Sequence, residues 1–68
     1  MPGWFERQRL EWIWEMLVVY GFINRSHLQR KFQISNVQAS NDLRTFMKQY
    51  PEAMVYDPSR KAYVRVAR

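Results

Sequence analysis

Residues 23–50, INRSHLQRKFQISNVQASNDLRTFMKQY, decide the fold. Asn24 is a good N-cap for a helix beginning at Arg25, because its side-chain oxygen can accept one of the first-turn amide protons that lack an intrahelical partner. Leu28 and Phe32 stand four residues apart and share a face. Gln33 and Ile34 interrupt that pattern, and Ser35 caps a further helix. Ser35 and Gln38 have the S/T-x-x-E/Q spacing of a capping box, in which two orphan amides are satisfied reciprocally. The stretch predicts a short helix over about 25–32, a turn of about three residues, and a longer helix over about 36–50. A helical hairpin without a ligand is the plainest interpretation of those signals alone.

The longer helix sorts by face. Ala39, Leu43, Phe46 and Tyr50 fall on one side with Met47 beside them, which predicts the core stripe. Val37, Asn41, Arg44, Thr45 and Lys48 occupy the opposite side, flanked by Gln38 and Ser40. No acid lies on that outer arc, and Asp42 falls nearer the buried edge. Asn, Gln and Arg are the side chains that make bidentate contacts to adenine or guanine edges in the major groove. With Arg25, Arg30 and Lys31 close by, the arc suits a helix that lies against DNA, and the pair of helices is expected to be a helix-turn-helix. Its bland counterpart is an ordinary solvated face.

Composition agrees. The chain has 68 residues, a net charge of +5 and a pI near 10.1. That balance favours a polyanionic partner. One domain, residues 1–68, is the expected organisation. A chain of this length buries only about 60% of its unfolded surface. Cysteine is absent, so disulfides add nothing, and a reducing compartment is compatible. The start lacks the apolar run of a signal peptide. The longest apolar run, residues 16–20, is far too short to span a bilayer, so no membrane association is expected.

A first helix is predicted over about 4–20, ended by Gly21 in the left-handed position beyond its last turn. Leu10, Ile13, Trp14 and Leu17 follow helical spacing and are expected in the core. A second apolar line, Phe5, Trp12, Met16 and Val19, falls on roughly the opposite side. Exposed contiguous apolar side chains mark contact surfaces, and Trp is enriched at their centres. The line is therefore the candidate interface, with a two-fold homodimer the simplest version. A competing expectation is that Trp4 and Phe5 fold back to cover Trp12.

After Pro51, Met54-Val55-Tyr56 and Tyr63-Val64-Arg65-Val66 are rich in β-branched and aromatic residues. Between them, DPSRK is a turn signal. These features predict a hairpin over about 53–66, and Phe22-Ile23 is a candidate third strand. The order helix, strand, helix, turn, helix, hairpin is that of a winged helix. The fold class is mainly α with a small β-hairpin (α+β): three helices plus a wing. Arg60 and Lys61 are placed at the wing tip, suited to phosphates or the minor groove.

At these residues the chain resembles the N-terminal winged helix-turn-helix of DeoR-type bacterial regulators, especially those carrying a WYL domain. The matching pieces are GFINRS at residues 21–26, ISNVQASNDL at 34–43 and YDPSRKAYV at 56–64, so the resemblance spans roughly residues 9–66. The QASNDL run followed by YDPSRKAY is its more specific part. The resemblance implies a bacterial or phage transcriptional regulator, often a repressor, acting in the cytoplasm and binding an inverted repeat in double-stranded DNA as a dimer. Carried onto this chain, Ser35, Asn36, Gln38, Ser40, Asn41 and Arg44 belong to the recognition element, joined by Val37 and Lys48 of the outer arc. Arg25, Ser26, Arg60 and Lys61 are the backbone and wing contacts. Regulators of this kind are several times longer and carry a C-terminal sensing domain. Either this is a stand-alone regulator that dimerises through the Phe5, Trp12, Met16, Val19 line, or that line is where the rest of a longer regulator packs.

Chemistry beyond binding is not expected. His27 is the sole histidine, so a conventional zinc site is not expected, and neither is a cofactor or a small-molecule ligand within this chain. Its place near a helix start puts it at the surface. Glu6, Glu11, Glu15, Asp42, Glu52 and Asp57 form no catalytic pair, Ser26-His27 has no orienting third group, and no glycine-rich phosphate loop exists. The chain is expected not to be an enzyme. A winged-helix protein-interaction module using the outer face of helix 1 is the rival function. RNA binding is a third, disfavoured by the lack of an aromatic stacking platform.

Overall fold

The computed structural model describes residues 3–66, so residues 1–2 and 67–68 of the expected domain span lie outside the described residues. Its elements are α1 (Trp4–Tyr20), β1 (Phe22–Ile23), α2 (Arg25–Phe32), α3 (Asn36–Gln49), β2 (Met54–Asp57) and β3 (Ala62–Arg65). Three helices and a small antiparallel sheet of order β1-β3-β2 make a winged helix.

Local chemistry ends the elements where they end. Gly21 stops α1 at φ 82° and returns its N–H to Leu17 and Met16 carbonyls, satisfying the last turn. Gln33 takes the same left-handed role after α2 at φ 56°, and its side-chain amide donates to the Arg30 carbonyl. The Gly21 carbonyl then accepts from Arg65 N–H, which ties the end of α1 into the sheet. Phe22 pairs with Val64 and Ile23 with Tyr63, while β2 and β3 pair Val55 with Val64 and Tyr56 with Tyr63. The wing turn is held by Asp57, whose Oδ1 accepts from the N–H groups of Ser59 and Arg60.

The core gathers Leu10, Ile13 and Leu17 of α1, Ile23, Leu28 of α2, Ala39, Leu43 and Phe46 of α3, and Met54 of β2. Two expectations for the core are corrected. Trp14 is not in the core: it is 38% exposed, at the rim of the α1–α3 seam, with its ring edge-on to Phe46 at 5.2 Å and Tyr50 at 5.1 Å. An indole is too wide for the close approach of two helices, so Leu10, Ile13 and Leu17 take the seam and Trp14 lids it. Tyr50, placed in the core stripe of α3 by its spacing, is likewise exposed beside Trp14.

The second line of α1 is not one exposed stripe. Trp12 and Met16 are half-buried against the core, because α2 runs beside that face. Phe32 meets Trp12 edge-on at 5.6 Å, and the Lys31 ammonium lies 5.9 Å from the Trp12 ring centre. Phe5 and Val19, at 71% and 61% exposure, stay in solvent. Trp4 and Phe5 are part of α1 and pack on each other rather than over Trp12.

Candidate nucleic-acid interface

The two helices of the central motif start by the same kind of cap. At α2, the Asn24 side chain accepts from His27 N–H and the His27 ring Nδ1 accepts from Asn24 N–H, both at 3.3 Å, a complete reciprocal box. His27 is therefore half-buried and structural rather than a surface group. Burial, and secondarily the Arg30 charge, push its pKa below the ordinary 6.5. The neutral ring suits the role, since a protonated Nδ1 has no lone pair to accept with.

At α3, Ser35 Oγ accepts from Gln38 N–H at 3.0 Å, the first half of the expected box. The second half is missing. The Gln38 amide donates instead to Asp42 Oδ1 at 2.9 Å, one turn along the helix. Asp42 is 2% exposed and is held from α1 by Arg9, with Nε 2.6 Å from Oδ2 and Nη2 3.2 Å from Oδ1. A charged acceptor competes better for the Gln38 amide than a peptide N–H does for its oxygen.

This pairing decides the electrostatics of the motif. Asp42 is the single acid between residues 24 and 50, and it is internal and neutralised. The outer face of α3 presents Asn36, Val37, Asn41, Arg44 and Lys48, all exposed, with Ser40 and Gln38 half-buried at its margin. Arg44 donates to Asn41 Oδ1 at 3.3 Å, and Arg25 of α2 donates across to Ser40 Oγ at 3.2 Å. Arg25 thereby joins the start of α2 to the reading face of α3.

The wing folds back toward these helices. An open cleft of about 490 Å³ separates them, lined by Arg25, Ser26 and Gln29, by Asn36 at the start of α3, and by Tyr56, Lys61 and Tyr63 of the wing. Arg25, Ser26, Asn36 and Lys61, far apart in sequence, thus face one space. Lys61 holds a left-handed backbone, φ 54°, at the end of the turn. Arg60 does not line this cleft, and its guanidinium leans on Asp57 at 3.7 Å. Lys48 lies toward the far end of α3. The sequence reading missed Gln29, Tyr56 and Tyr63; the facing tyrosines, 5.0 Å apart across the hairpin, were readable as a cross-strand pair. It also missed Arg9, for which a residue on another helix leaves no local signal. Among the described residues no cluster of His, Cys, Asp or Glu suits a metal ion, and no helix is long and apolar enough to cross a membrane.

A trihelical core, a three-stranded sheet ending in a wing and an acid-free outer face on the third helix make a winged helix-turn-helix domain. The chain belongs to the BrxR transcriptional regulator winged helix-turn-helix domain family, whose pattern it matches over residues 6–68. Two curated relatives, each a DNA-binding transcriptional repressor CapW, from Escherichia coli and from Escherichia coli strain KTE188, are 43% identical over 60 residues. The alignment takes in 88% of this chain and 20% of each relative, so the chain spans about a fifth of their length. The family match bears out the resemblance to the N-terminal winged helix-turn-helix of a bacterial regulator.

Proposed function

We propose that this domain binds double-stranded DNA as part of a transcriptional repressor, with α3 in the major groove and the start of α2 and the wing on the backbone. The observation that carries this is the burial of Asp42 against Arg9, which leaves α3 with a face of amides, hydroxyls and cations and no acid. Asn36, Gln38, Asn41 and Arg44 are the readers of base edges, with Ser35, Val37, Ser40 and Lys48 completing the contact. Arg25, Ser26, Lys61 and Arg60 take phosphates. The similarity to CapW repressors supports repression. The domain works as a binding module rather than an enzyme, in the compartment that holds the regulated DNA, the bacterial cytoplasm.

Titration against labelled duplex DNA over a range of salt tests the reading. Neutralising about four phosphates per domain predicts roughly a hundredfold loss of affinity for a fourfold rise in salt. No binding to any duplex at low salt overturns it. Asn41→Ala with Arg44→Ala is expected to erase the preference at the base positions those two side chains read while circular dichroism is unchanged.

We also propose a homodimer on an inverted repeat. Its support is the exposed apolar end and edge of α1, Trp4, Phe5, Val18 and Val19. Trp12 and Met16 act in this surface only through their outer edges. Phe5→Glu with Val19→Glu is the variant to test in sedimentation, because Trp12→Glu would put a charge into the α1–α2 seam. A wild type that is monomeric at micromolar concentration on and off DNA overturns the dimer. Those exposed side chains equally suit a docking module for another protein, the reading that remains if duplex DNA is not bound.

A further inference from the structure

The carboxylate of Asp42 has three donors. Arg9 supplies two, and the third is Nε2 of Gln38. A carboxylate accepts and never donates, so it can hold the Gln38 amide only by its nitrogen, with the amide oxygen turned away. The flip state of this amide, usually free to vary, is dictated by a fixed charge. Among the described residues, one Nε2 hydrogen and the whole of Oε1 remain unused. They belong to a half-buried side chain near the start of α3, the part of a recognition helix that reaches base edges. A donor and an acceptor side by side on a planar amide are the complement of N7 and N6 of adenine.

We infer that Asp42, backed by Arg9, is a positioning residue that presents Gln38 to an adenine edge, so that the base preferred at one position of the site is set by a carboxylate buried beneath α3. The inference rests on the reading of α3 as the DNA-reading helix. Asp42 touches no DNA. It confines an amide that would otherwise sample both flip states and many rotamers, and restricting those states before binding raises discrimination without adding a contact.

Replacing the pair together, Arg9→Leu with Asp42→Leu, removes the anchor without leaving a lone buried charge, an exchange that buried ion pairs tolerate. Sites are selected from a random duplex library by wild type and by this variant. Wild type is expected to prefer adenine at one position of each half-site by about tenfold, the scale of one bidentate pair. The variant is expected to lose that preference alone, keeping the others and its affinity for random duplex, and Gln38→Ala by itself is expected to lose the same preference. A variant that keeps the adenine preference overturns the inference while leaving DNA binding standing. A wild type that selects no sequence instead overturns the reading of α3 itself, and the inference with it. Should circular dichroism show the variant unfolded, the wild-type protein decides by NMR. A Gln38 side-chain order parameter above about 0.6 supports the anchor. A Gln38 side chain as mobile as the exposed Gln49 overturns it.

Discussion

Asn24 and Ser35 open consecutive helices with the same local device and arrive at different structures. At α2 the third residue of the helix is His27, an unusual partner, and the reciprocal box is complete. At α3 it is Gln38, a standard partner, and the box is half made because Gln38 bonds Asp42 instead. The difference lies in what stands one turn on. The α2 box has only local groups to bond. The α3 box competes with a buried carboxylate that another helix holds in place, and the charged acceptor wins. A capping motif therefore states what a helix start can do, and the packing beneath it decides what it does.

The largest test of that contrast is Asp42→Ala. It strands Arg9, only 12% exposed, without its partner, and should cost about 3–5 kcal/mol in urea denaturation. For a domain this small such a loss approaches its whole stability, and a far smaller loss would show that the pair does not organise α3. Next comes Asn24→Ala with His27→Ala, which together remove both halves of the α2 box and should cost about 1–2 kcal/mol. Ser35→Ala, losing a single cap bond, should cost nearer 0.5–1 kcal/mol, about half as much. Equal losses at the two sites would break the distinction between a complete and a half box.

The smallest expected effect is pH dependence confined to α2. His27 is neutral in the fold and its pKa lies below 6.5, so the unfolded chain binds the proton more readily. Its contribution to stability is therefore present above about pH 6.5 and is lost as pH falls below that toward the lowered folded value. The urea midpoint should drop between about pH 7.5 and 5.5. His27→Gln, which keeps an acceptor for Asn24 N–H, should flatten that drop, and a slope unchanged in the variant would assign it to other groups.

The same division between local and distant causes explains how much was legible beforehand. Three helices and a wing were readable, because Gly21, the residues 33–35 break, Pro51 and the Asp57 turn act within a few residues of themselves. So were Leu10, Ile13, Leu17, Ala39, Leu43 and Phe46 as core, since periodicity marks them. The two tryptophans of α1 were misplaced. Spacing put Trp14 inward and Trp12 outward; the structure puts Trp14 at a rim and Trp12 under Phe32. A helix touched on two sides by α2 and α3 has no single outer face, and a one-face pattern cannot express that. Of the candidate contact residues, Asn41, Arg44 and Val37 are exposed on one arc as spacing requires. That Arg25, Ser26, Asn36 and Lys61 face one cleft depends on the return of the wing.

By itself the sequence determined the elements, their order, the charge excess and the character of the α3 face, because these follow from neighbours within about one or two helical turns. Only the tertiary structure decided that Asp42 is internal and answered by Arg9, that Gln38 is anchored rather than capping, and that the wing closes a cleft over the start of α2. Those three depend on groups from separate elements meeting out of water, where an unpaired charge is costly and a matched one fixes its neighbours.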